Sequence, residues 1–196
     1  MKRIPLLLVA LVACIAVPAQ SIQVGPRLGV NFTNITIDGI KEQSHTRLHL
    51  GAFLSAPVAD KFDVQVELLY SQQGAYLIEV INGLNTMNYL NIPLLGKFRP
   101  IEKLSVYGGP QIGIALSSKW TSKFSGDVYD FSASQSATDL SLLLGGEYEV
   151  YEGLTAGARY FFSLGDTRKE KDVAGKNKVF QISLAYDIAR FLFAKE

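Results

Sequence analysis

The 196-residue chain has one cysteine, one tryptophan and two histidines, and its formal net charge is only +1. Cys14 falls inside an N-terminal apolar leader, so a processed chain would have no cysteine, which excludes disulfides and thiol chemistry. Beyond that leader no segment has the roughly 18 consecutive apolar residues that a membrane helix requires. The balanced charge leaves no basic footprint for nucleic acid. The densest charge run, Arg168-Lys169-Glu170-Lys171-Asp172, is mixed in sign and reads as a solvated loop tip. His45 and His49 would share a face in a strand, but no cysteine or clear carboxylate completes a metal site around them. No nucleophile motif or phosphate loop is present either. The expectation is a protein without catalytic residues, metal or cofactor.

The leader is the first thing that is present. Lys2 and Arg3 open it, residues 4–17 are apolar, and Val17-Pro18-Ala19 offers a small-residue cleavage site before Gln20. Residues 1–19 therefore read as a signal peptide and 20–196 as one exported domain. An alternative stays open, because Leu11-Val12-Ala13-Cys14 resembles a lipobox, although the Ile15-Ala16-Val17-Pro18-Ala19 that follows is not a polar tether.

Behind the leader the chain alternates. In 62–71, Phe62, Val64, Val66, Leu68 and Tyr70 point one way, and Asp63, Gln65, Glu67, Leu69 and Ser71 the other. A period of two assigns each set to one face of a β-strand. Eight such runs occur, near 22–33, 46–57, 62–73, 86–98, 104–117, 138–149, 153–164 and 178–189. Their lengths suit strands that cross a bilayer at a tilt. The links between them alternate between short (58–61, 99–103, 150–152) and long (34–45, 74–85, 118–137, 165–177). Aromatics on the apolar face sort to the two ends, with Phe62, Phe98, Tyr148 and Tyr186 near the short links. Phe32, Tyr70, Tyr160 and Phe180 lie near the long ones. Two aromatic girdles around an aliphatic band belong at the two headgroup levels of a membrane. A water-soluble barrel has the same period, but its outer face would be charged and lysine-rich. Here the polar face is mostly small, neutral or mixed in sign. The expected fold is all-β, an eight-stranded antiparallel up-and-down transmembrane β-barrel with its apolar face toward membrane lipid.

The opposite face carries Arg27, Glu67, Lys97, Asp139, Glu147 and Arg159. Charges inside a barrel must pair or meet water, so these six are expected to form a polar network in the lumen. Glycines among them would make room for long side chains. Pro26, Pro93 and Pro110 fall within strands, where a closed barrel is expected to accept them at bulges or rims. The longest link carries Trp120, Phe124, Tyr129 and Phe131 among serines, a composition suited to contact with a surface ligand or an envelope protein, or to a lid.

The run Tyr89-Leu90-Asn91-Ile92-Pro93-Leu94-Leu95-Gly96-Lys97-Phe98 resembles the most distinctive stretch of the PorT-like outer-membrane β-barrel family, whose members are often called porin family proteins. Gly108-Gly109-Pro110 with Ile112-Gly113, and Gly145-Gly146-Glu147-Tyr148, look like its fifth- and sixth-strand features. Asn91 departs from the acidic residue common inside the first motif. Gln181-x-Ser183-x-x-Tyr186-x-Ile188 looks like a last-strand signal for the barrel-assembly machinery, after which the chain runs on to Glu196. The resemblance implies the outer membrane of a Gram-negative bacterium and speaks little for activity. Three roles follow as expectations: a structural or surface-interaction protein acting through long loops, an envelope assembly or secretion factor of PorT type, and a narrow porin-like channel. Eight strands leave an interior only wide enough for side chains, which disfavours a broad pore.

Overall fold

The computed structural model describes residues 22–36, 42–77, 83–122, 126–130, 132, 138–165 and 176–189. The leader 1–19, Phe124 and Phe131 lie outside the described residues. Nine strands occur among those described: β1 (Gln23–Thr36), β2 (Glu42–Ala59), β3 (Phe62–Leu77), β4 (Gly83–Ile101), β5 (Leu104–Ser122), β6 (Val128–Asp130), β7 (Thr138–Tyr151), β8 (Leu154–Ser163) and β9 (Lys176–Tyr186). All pairings are antiparallel, and apart from the small β6 each strand pairs with its neighbours in sequence. Pairing of β1 with β9, from Arg27–Ala185 to Thr36–Lys176, closes the ring. Strand β6 pairs with the far end of β5 and lies outside the ring. The wall is a closed, eight-stranded, up-and-down antiparallel barrel. Closure leaves no strand edge, the condition under which a sheet can hydrogen-bond fully inside lipid.

The alternation maps onto two faces of this wall with the apolar set outward. Leu68 is 53% exposed, whereas Glu67 beside it is 2% exposed. Leu28, Leu50, Leu94, Leu144 and Ile182 are all exposed, while Arg27, Gln65, Gln111, Arg159 and Gln181 are buried. Such a surface is inside-out relative to a water-soluble protein and is stable only against lipid.

Four features differ from the sequence expectation. The strands run further at the long-link end: β4 begins at Gly83 and β5 continues to Ser122, because Gly83–Ser122 and the pairs below it extend the ladder. Trp120 is therefore a strand residue. The lumen is not wholly polar, since Leu95, Tyr107, Leu143, Phe161 and Val179 form a buried apolar cluster. Their parity places them among polar neighbours, and a side-chain-filled interior needs apolar volume as well as charge. Prolines 93 and 110 sit at neither bulge nor rim. The β3–β4 ladder instead lapses beside Pro93, between Val66–Leu94 and Leu69–Asn91, and the β4–β5 ladder lapses beside Pro110, between Pro93–Gln111 and Gly96–Gly108. Each lapse is where the missing N–H would have bonded. Finally, β9 ends at Tyr186, where Asp187 Oδ1 accepts from the Val24 and Ala189 amides.

Candidate functional site

Five of the six charged lumen residues form one alternating chain. They come from β1 (Arg27), β3 (Glu67), β4 (Lys97), β7 (Glu147) and β8 (Arg159), so the chain spans the lumen from several sides. Lys97 Nζ is paired with Glu147 Oε1, whose other oxygen accepts from Arg27 Nη2 at 2.8 Å. Arg27 Nε lies 3.3 Å from Glu67 Oε1, and Glu67 Oε2 accepts from Arg159 Nη1 at 2.6 Å. Three cations thus share two carboxylates, all buried. Such an arrangement is favourable only when the remaining donors and acceptors are also bonded.

Neutral side chains supply much of that second set. Gln65 donates to Glu67 at 2.6 Å, Arg159 Nε donates to Gln181 Oε1 at 2.6 Å, and Arg27 Nη1 donates to Ser183 at 3.0 Å. Gln181 in turn donates to Asn31 Oδ1 at 2.6 Å, and His49 Nδ1 meets the same oxygen at 2.7 Å. Because that oxygen can only accept, His49 carries its proton on Nδ1. The Arg27 guanidinium also lies 5.7 Å from the centre of the Phe53 ring. Gly145 makes room for the crossing: a Cβ there would fall 2.5 Å from Arg159 Cβ and 2.8 Å from the Tyr107 ring. These neutral partners are legible in sequence only by parity; Gln65 stands two before Glu67, and Asn31 faces Gln181 across the closing seam.

Asp139 is separate. It is buried, and its Oδ2 accepts from Ser163 at 2.7 Å and Ser141 at 3.1 Å, with no cation among its described bonds. At the short-link end Asp63 pairs with Arg99 at 3.0 Å.

The eight aromatics of the expected girdles lie on the outer face of the wall in two groups, whereas Phe53, Tyr89, Tyr107 and Phe161 are buried. Phe62 stands opposite Phe98 with ring centres 4.9 Å apart at the short-link end, where Tyr148 and Tyr186 also lie. At the long-link end Phe32, Phe180 and Tyr160 make a row across β1, β9 and β8, with Phe32 and Phe180 6.1 Å apart. Tyr70 faces outward on β3, opposite Leu50 and Leu90. Above this level Trp120 packs on Tyr129 of β6, ring centres 5.4 Å apart, and lies flat against Gly83, where a Cβ would come within 2.3 Å of the indole. Trp120 Nε1 has no hydrogen-bond partner.

A closed barrel with an apolar outer wall and a charge-paired, side-chain-filled lumen defines an integral outer-membrane β-barrel protein. The family described as "Outer membrane protein beta-barrel domain" matches residues 6–187, and the chain belongs to that family. Among solved structures it is similar to Ail, the attachment invasion locus protein of Yersinia pestis, at 18% identity and a TM-score of 0.54, covering 84% of this chain and 97% of that one. Ail in complex with the heparin analogue sucrose octasulfate matches at 17% identity and a TM-score of 0.52, covering 85% and 98%. Neisserial surface protein A is similar at 9% identity and a TM-score of 0.54, covering 84% and 97%. At these identities the likeness is one of fold. Among curated proteins no sequence match is found.

Proposed function

We propose that this outer-membrane barrel is a non-catalytic surface-interaction protein whose ligand contacts are made at the long-loop end. The supporting observation is the uneven height of the wall. Nineteen residues in β4 and in β5, tilted as in other barrels, rise roughly 44 Å, whereas the ten of β8 rise roughly 23 Å, about the height of the apolar band. One side of the barrel therefore stands well clear of the membrane and carries Trp120, Tyr129 and β6 on it. Rigid aromatics on a strand offer contact area at low entropic cost. A neighbour of the same fold, Ail, is described in complex with a heparin analogue, which makes sulfated glycans a reasonable first probe.

The test uses intact cells that display the protein. Cells are expected to be retained on immobilised glycans or proteins, with retention falling about tenfold in the Trp120→Ala/Tyr129→Ala variant. External protease is expected to cut the long-loop end while the barrel stays folded. Retention unchanged by the double variant, or complete resistance of whole cells to protease, overturns the proposal.

The partners in this reading are membrane lipid, the barrel-assembly machinery during biogenesis and the surface ligand. Its location is the outer membrane of a Gram-negative bacterium, reached through a cleaved signal. A second reading rests on the resemblance of Tyr89–Phe98 to PorT-like proteins, which suggests an envelope assembly or secretion factor. Crosslinking in living cells separates the two, because only the second expects adducts with secretion or envelope-assembly proteins that persist once the barrel itself is folded in the membrane.

A further inference from the structure

At the short-turn end three segments converge: the start of β1 at Gln23, the β2–β3 turn with Pro57, Ala59 and Asp60, and the end of β4 at Arg99. With Ser55 and Asp63 they line an open cleft of about 390 Å³. Two polar groups in it are buried and unsatisfied. Asp63 is 4% exposed, and although its Oδ1 pairs with Arg99 at 3.0 Å, its Oδ2 has no partner. Ser55 is 1% exposed and its Oγ has none either. Buried acceptors without donors are rare in folded proteins because they forfeit their hydration. Exposed Asp60 adds a second carboxylate, so the cleft holds two acids against one guanidinium.

That chemistry selects among ligands. An anion would meet two carboxylates. A bare metal ion would find too few ligands and a guanidinium alongside; no group of three or more His, Cys, Asp or Glu residues that could hold a metal occurs among the described residues. What fits is a positively charged group bearing N–H donors. We propose that this cleft binds an alkylammonium or guanidinium head, with Asp63 Oδ2 and Ser55 Oγ accepting its N–H donors and Asp60 supplying the second negative charge. The site faces the side opposite the projecting wall, the periplasmic side in barrels of this class, and does not depend on the surface-interaction reading.

Such a head would be carried by a separate molecule in the periplasm, the side that this cleft faces.

The test is a titration of the full chain in phosphocholine nanodiscs with agmatine, which carries one guanidinium and one ammonium, read by amide NMR shifts. Choline, a cation without N–H donors, is the control. Saturable shifts are expected at Ser55, Asp63 and Arg99 with agmatine and not with choline. Asp63→Asn is expected to weaken binding at least tenfold and Ser55→Ala several-fold, with heat-modifiability gels confirming that each variant is folded. Saturable binding to the wild-type chain identifies a site for a separate molecule. No saturable shift, equal shifts with choline, or full affinity in folded Asp63→Asn overturns the proposal.

Discussion

Glu147 is a residue on which the lumen depends heavily, because among the described ion pairs it holds Lys97 by itself and makes the shorter of the two carboxylate contacts to Arg27. Glu147→Gln leaves Lys97 without its carboxylate and Arg27 with only the longer contact to Glu67. Removing one partner of a buried pair costs about 3–5 kcal/mol, largely as an uncompensated charge. The urea midpoint of the folded band on unheated gels should therefore fall by that equivalent. Adding Lys97→Met should recover part of the loss, since it removes the stranded charge. Equal stability of the single and double variants would show that the two charges do not act as one unit.

Among the elements, the β4–β5–β6 extension carries two local tests. Gly83→Val drives a side chain into the Trp120 indole, and Trp120 is the single tryptophan of the chain. Its fluorescence should shift to the red while the barrel itself remains folded. Strand β6 is also tied by Asp130. The Ser132 hydroxyl and amide, with Lys119 nearby, hold the Asp130 carboxyl below its usual range. A carboxyl with a lowered folded-state value contributes stability above its unfolded value and loses it as the pH falls through the folded one. Amide exchange at Val128–Asp130, corrected for its intrinsic pH dependence, should therefore quicken below the usual aspartate range in the wild type. In Asp130→Asn it should be insensitive to that change.

For the molecule as a whole, the decisive property is a filled interior. The charge chain crosses the lumen from five strands, and Leu95, Tyr107, Leu143, Phe161 and Val179 fill further volume. Planar bilayers at high salt should show no conductance steps with the wild type; regular steps would establish a narrow channel instead. The outer-membrane fraction should contain a form whose mobility on gels changes with heating, as expected for a closed barrel. An unchanged mobility would contradict the closed ring.

Much of the architecture is legible in the residue order. The period of two in Phe62–Ser71 and its seven counterparts, with links of alternating length, already implies strands with one apolar face and a wall that goes up and down. Which face met lipid could be argued from composition, because the opposite face holds Arg27, Glu67 and Glu147 rather than a lysine-rich surface. Pairing partners could not be, because register in a barrel is set by closure, and closure is a property of all eight strands together. Only the folded ring places Arg27 between Glu67 and Glu147, residues 40 and 120 positions away. It also separates Asp139 from that chain and carries β4 and β5 well past the end of β8. The sequence by itself determined that this protein is an outer-membrane barrel, since local alternation sorts side chains onto two faces and the composition of those faces, with the alternating links and aromatic ends, says which one meets lipid. The tertiary structure decided which charges meet and where the unsatisfied acceptors of Ser55 and Asp63 lie, because those depend on contacts between strands far apart in the chain.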